Sequence, residues 1–181
     1  MNKRQVVPHR PIYPTPAGLI TSVDAAGRPN ILTLGEVFNI SISRPVILGI
    51  AIRKERYSHH LISEAREYVV NLPTQEIAEQ VWYCGSVSGR TVDKFTASGL
   101  TPLPAQRVRP PLIAECPVNL ECKLLGVQEI GDHDLFLGEV IVQHVDESVL
   151  DEAGRIAVGK LHAFAFVNGE FWTLGQKMPR I

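Results

Sequence analysis

From Asn119 onward the chain offers strand signals broken by turn residues and no helical period, and this commits its last third to β-structure. The strongest of these signals is Val167-Asn168-Gly169-Glu170, set between the runs 163–166 and 171–174, because Asn-Gly suits the type I′ turn of a tight hairpin. A second is Gly131-Asp132-His133-Asp134, a polar turn-forming run that leads straight into an apolar strand over 135–142. A chain with so many strands must close its sheet or cover the edges.

The upstream half follows the same pattern with helices inserted. Residues 19–23 read as a strand, Asp24-Ala25-Ala26-Gly27 as a turn and 29–35 as the return strand. The apolar run 46–52 after Pro45 is short and β-branched, which favours a buried strand, and 68–72 reads as another. Ser58 is the expected N-cap of a short helix over 59–66, and Thr74 that of a second helix to about Tyr83, with Glu76 in its first turn. Many closely spaced strands with two or three helices predict a mainly β architecture with inserted helices, a β-barrel decorated by them. Too few helices alternate with strands for a doubly wound fold. Pro8, Pro11, Pro14 and Pro16 predict an extended N-terminal arm over 1–16, lying on the surface or across a partner, with 17–181 as a single domain.

At 181 residues one domain can bury a substantial core. A net charge of -1 supplies no general attraction for nucleic acid or anionic membrane, so neither is expected as a partner. No apolar run approaches the roughly 18–20 residues needed to cross a bilayer, and no apolar stretch follows Lys3 and Arg4, so the expected location is the cytoplasm. Cys84, Cys116 and Cys122 make neither a disulfide framework nor a Cys-x-x-Cys pair, and the histidines show no metal-ligand spacing. The cysteines read as core residues, and no metal is expected. Cys84 as a hydrolase nucleophile is set aside, since no glycine-rich oxyanion site adjoins it.

Four constellations can carry chemistry. In Arg53-Lys54-Glu55-Arg56-Tyr57-Ser58, three cations precede a helix start, where free N–H groups already favour an anion such as a phosphate monoester; the plainer alternative is a solvated loop. The cassette 86–95 offers Ser88, Gly89, Arg90, Thr91 and Lys94 as hydroxyls, flexible backbone and charged donors, or else a polar loop with a surface Asp93–Lys94 pair. His133, flanked by Asp132 and Asp134, is a candidate proton donor or ligand, or a solvent-facing turn residue. Within 30–38, the polar–apolar strand that ends in Gly35 can expose backbone donors and acceptors to a flat heterocycle, or else is an ordinary barrel strand. Neither a triphosphate-binding loop nor a Gly-x-Gly-x-x-Gly fingerprint is present, so a dinucleotide would bind without a Rossmann domain.

In order and spacing these features resemble the flavin reductase-like, flavoredoxin-type family over about residues 17–174. The resemblance rests on Asn30, Thr33 and Gly35, on Ser41 and Pro45, on Ser58 after its basic loop, and on the strand 68–72. It continues through Cys84-Gly85, Ser88-Gly89-Arg90 and Asp93-Lys94-Phe95, then Gly131-Asp132-His133, Phe136 and Gly138-Glu139-Val140. It implies an FMN-binding split β-barrel, usually a homodimer with the flavin near the subunit interface. By position it puts Asn30, Thr33, Ser58, Lys94 and His133 on the flavin. Arg53 or Arg56 would join Ser58 and Lys94 at the phosphate and ribityl chain, with Ser88 and Arg90 of the second cassette beside them. The backbone of Thr33, Leu34, Gly35 and Glu36 would meet the ring, Phe166 would cover it, and His133 would be the catalytic candidate at its polar edge. The implied activity is hydride acceptance from NADH or NADPH and delivery of electrons to free flavin, a protein partner or a small acceptor. The alternative is a non-enzymatic FMN electron carrier. Many relatives carry an aromatic residue just after the first site strand, where this chain has Gly35-Glu36-Val37.

Overall fold

Short apolar, β-branched runs separated by turn residues produce twelve strands among the described residues of the computed structural model, 2–10 and 12–179; Pro11 of the proline-rich arm lies outside them. In chain order the strands begin β1 (Thr15–Pro16), β2 (Gly18–Val23), β3 (Pro29–Leu34), β4 (Val37–Ser41) and β5 (Ile47–Arg53). Helix α1 (Tyr57–Ala65) leads to β6 (Glu67–Leu72), and helices α2 (Ala78–Ser86) and α3 (Lys94–Ser98) to the short β7 (Pro102–Leu103) and β8 (Leu112–Ile113). Two long strands, β9 (Val118–Ile130) and β10 (His133–Val145), precede the final hairpin of β11 (Phe164–Val167) and β12 (Glu170–Thr173).

All pairings are antiparallel. The main sheet runs β3-β2-β6-β9-β10-β5-β4, a second joins β1, β11 and β12, and β7 pairs with β8. The result is a split barrel whose interior holds Ile20, Ile50, Ile52, Tyr68, Val70 and Phe136. Helices α2 and α3 cover the β3 side over a second apolar cluster that includes Leu19, Ile31, Val81, Cys84 and Phe95. All three cysteines are buried and free, and burial pushes their thiols up.

The last turn forms as its residues require: Asn168 and Gly169 both take positive φ, 49° and 89°. Three expectations change. The region after Asn119 also contains single 3₁₀ turns at Glu147–Val149 and Val158–Lys160. The proline-rich arm does not stop short of the fold, because Thr15 and Pro16 pair with Phe166 and Ala165. Both proposed N-caps fail. Arg56 occupies the cap of α1, and Ser58 lies inside the first turn, buried, because its hydroxyl is claimed by Asn30 Nδ2 at 2.7 Å. Thr74 precedes a 3₁₀ turn (Gln75–Ile77) with no side-chain cap, and α2 begins only at Ala78 and continues to Ser86.

Candidate functional site

A cleft of about 810 Å³ opens where the ends of β3 and β5 meet α2 and the last hairpin. Its size lies in the usual range for small-molecule sites, about 300–1,000 Å³. Leu32, Thr33, Leu34, Gly35 and Glu36 form one wall along β3 and the turn after it. Ile52, Arg53 and Arg56 form a second at the end of β5, adjoined by Asp132 and His133. Trp82, Gly85 and Ser86 of α2 face Phe166 and Phe171 of the hairpin, and His9 and Arg10 reach in from the N-terminal segment.

Strand register explains this convergence. His133 opens β10 directly opposite Arg53 on β5, so the β9–β10 turn and the β5–α1 loop share one corner. There Asp132 accepts from His133 Nδ1 at 2.8 Å and lies 3.5 Å from the Arg53 guanidinium. The His133 hydrogen bond is the largest influence on the Asp132 carboxyl and lowers it; burial opposes this, and nearby His133 and Arg53 add to the lowering. With Nδ1 engaged, Nε2 of His133 has no partner among the described residues. Arg56 likewise has no ion pair among them, so it is a free cation on the cleft wall. Thr33 lines the cleft, but its hydroxyl donates to Val81 O at 2.6 Å and thereby docks α2 on β3. Gly85 permits that close packing, since a Cβ there would come within 3.2 Å of Thr33.

The other predicted residues form a neighbouring cluster that does not line the cleft. Asn30 is 4% exposed; its Nδ2 donates to Ser58 while its Oδ1 has no partner. Gly89 crosses directly over that oxygen, where a Cβ would lie 1.8 Å from it. Ser88 Oγ accepts from Arg90 N, and the Arg90 guanidinium lies 4.9 Å from the Tyr57 ring centre. Lys94 points inward, donating to the carbonyls of Ile31 and Cys84 at 2.7 and 2.6 Å, and burial lowers its pKa to about 8. The surface pair of Asp93 with Lys94 does not form, because Asp93 caps α3 by accepting from Thr96 N.

The structure thus gathers Thr33, Leu34, Gly35, Glu36, Arg53, Arg56, His133 and Phe166 on one cleft and sets Asn30, Ser58, Ser88, Arg90 and Lys94 apart from its lining. Sequence reasoning missed Trp82, Phe171 and Arg10, while Ser86 is the one residue of the 86–95 cassette that lines the cleft. The helical i,i+3 spacing of Trp82 and Gly85 could have signalled the α2 wall, and Phe171 lies in the same hairpin as Phe166. For Arg10 no local signal exists.

The aromatic side chains and the unpaired Arg56 on the cleft wall suit a flat, anionic small molecule. Fold and site together define a split-barrel protein with a cleft of small-molecule size. The chain belongs to the flavin reductase-like family: the family model described as "Flavin reductase like domain" matches residues 9–173. An uncharacterized protein of Archaeoglobus fulgidus is 41% identical over 136 residues, 75% of each chain. The flavoredoxin of Desulfovibrio vulgaris (Miyazaki F) superposes with a TM-score of 0.90 at 29% identity, over 99% of this chain and 97% of its own. An NADH:riboflavin 5'-phosphate oxidoreductase of Streptomyces pristinaespiralis is 28% identical over 125 residues, 68% of this chain and 67% of that protein.

Proposed function

We propose that the protein binds FMN in this cleft and works as an NAD(P)H-dependent, flavin reductase-type oxidoreductase, as a homodimer. The observation that carries the reading is the cleft itself, in which Arg56, free of any acid among the described residues, adjoins the start of α1 beside aromatic walls. A single basic corner without a dinucleotide fingerprint suits one phosphate. When bound, FMN supplies hydride acceptance and electron release. The protein's own contributions follow from position. Arg56 and Arg53 hold the phosphate end, and the backbone of residues 33–36 reads the ring edge. Phe166 excludes water from the ring, and His133, oriented by Asp132, presents Nε2 as a hydrogen-bonding or proton-transfer group. Similarity to flavoredoxin along almost the whole chain favours one second reading, an FMN electron carrier without reductase turnover that serves a protein partner.

The purified or reconstituted protein is expected to be yellow, to bind FMN near one per chain and to prefer it to FAD by isothermal titration. Equal or tighter binding of FAD, or no flavin binding, would refute the phosphate assignment. Stopped-flow reduction by NADH and NADPH separates the two readings, because only the reductase is reduced rapidly by one of them.

A further inference from the structure

The Arg10 side chain ties the N-terminal segment to the wall of the cleft, which His9 also lines. Residues 2–9 are exposed, whereas the Arg10 guanidinium is ion-paired with Glu36 and lies 5.1 Å from the Phe166 ring centre and 5.9 Å from that of Tyr13. Gly35 allows the approach, since a Cβ there would come within 3.2 Å of the guanidinium and 3.1 Å of Thr15 Oγ1. Thr15 and Pro16 then pair with β11, so the segment is fixed to the strand that carries Phe166. Both Arg10 and Glu36 keep 32% of their side-chain surface. Each group therefore stays open to solvent on one side, and an incoming anion can reach the guanidinium and take the place of its acid. A guanidinium against an aromatic ring, beside a carboxylate that can be exchanged, is a receptor for a flat anion.

We propose that Arg10 is a specificity-determining residue: it receives the anionic group of a second, flat reactant, a carboxylate on an aromatic or conjugated ring, in place of Glu36. Phe166 flanks the ring of that reactant. The inference rests on the flavin reading, which assigns Arg53 and Arg56 to the phosphate and leaves Arg10 as the remaining arginine of the cleft.

Calorimetric titration of the flavin-loaded protein with 2-naphthoate and with its neutral analogue 2-naphthamide tests it. The wild-type protein is expected to prefer the carboxylate. Arg10→Ala weakens naphthoate by about tenfold or more, the scale of a charge-assisted contact, and abolishes the preference. Arg10→Lys keeps part of it, because the charge remains without the planar fork. Glu36→Gln strengthens naphthoate binding by removing the competing acid and does not strengthen naphthamide. Equal affinity of the wild type for both probes, or an Arg10→Ala protein that still prefers naphthoate, overturns the assignment. Flavin absorbance is recorded for every protein. Loss of flavin in Arg10→Ala places Arg10 in the flavin's own site and also overturns it. A wild-type protein without flavin refutes the flavin reading instead, and the probe preference and its loss in Arg10→Ala still decide the role of Arg10.

Discussion

Lys94 is 4% exposed at the start of α3, and its ammonium group joins a carbonyl of β3 to one of α2. Such a brace fixes both helices to the strand that walls the cleft. Burial is the main cause of its low pKa, about 8 against an ordinary 10.5, with the Cys84 thiol opposing and Arg56 assisting. Below pH 8 folded and unfolded chains both hold the proton, and the folded chain bears the full cost of burying the charge. Between about 8 and 10.5 the folded chain releases a proton that the unfolded chain keeps, so this residue's contribution to stability rises with pH. Wild-type stability minus that of Lys94→Met should therefore increase across this window, by on the order of 3 kcal/mol in total. Urea unfolding of both proteins at several pH values measures it, and a constant difference would refute the lowered pKa of Lys94. The charge of Lys94 was legible in the sequence and its destination was not, because it depends on which carbonyls the packed helices leave nearby. Ser58 failed as a predicted cap for the same reason: a buried asparagine 28 residues away captures its hydroxyl.

Among the elements, β9 carries a second buried charge that organises the chain around it. Glu121 is fully buried and accepts from the backbone N–H groups of Gln106, Arg107 and Val108 at 2.8, 2.7 and 3.2 Å, and from His144 Nε2 on β10 at 2.7 Å. The loop between β7 and β8 is thereby fastened to the sheet, and Glu67 on β6 holds its next residue, Arg109, at 2.6 Å. Burial pushes the Glu121 carboxyl up, but the amide and His144 hydrogen bonds outweigh it and the net shift is downward. A lowered carboxylate stabilises the fold above its ordinary value of 4.5 and loses that contribution as pH falls below it. Glu121→Gln keeps the shape but removes the charge and one acceptor, so a loss of about 2–3 kcal/mol is expected near neutral pH. Denaturation midpoints at pH 7 and at pH values below 4.5 should show the gap between the proteins narrowing in acid. An unchanged midpoint, or a gap independent of pH, would refute this role. The strand was legible from its pattern, but the acid inside it was not recognised, since its loop partners are backbone amides 13–15 residues away that no side-chain motif reveals.

At the scale of the molecule, short β-branched apolar runs and turn chemistry were enough for a mainly β fold with inserted helices, and Asn168-Gly169 folds as its residue types demand. Strand order was not legible, because antiparallel ladders join segments far apart in sequence: β10 pairs with β5 across some eighty residues, which alone brings His133 to Arg53. The same topology leaves β4 at an edge of the seven-stranded sheet. Phe38 and Ile40 on that strand are 43% and 50% exposed, and Ile42 just beyond it is 83% exposed. An edge with open amides and apolar side chains is a pairing surface unless something covers it. A second copy of the chain is the occupant we propose, since self-association covers equivalent edges on both subunits at once. Sedimentation equilibrium at micromolar concentration should then give about 40 kDa, two chains of 20.0 kDa. Replacing Ile40 and Ile42 together with lysine puts like charges at that edge and should shift the protein to the monomer while far-ultraviolet circular dichroism stays unchanged. A wild-type particle of 20.0 kDa, or a double-lysine variant that still sediments as a dimer, would show that β4 is not the interface.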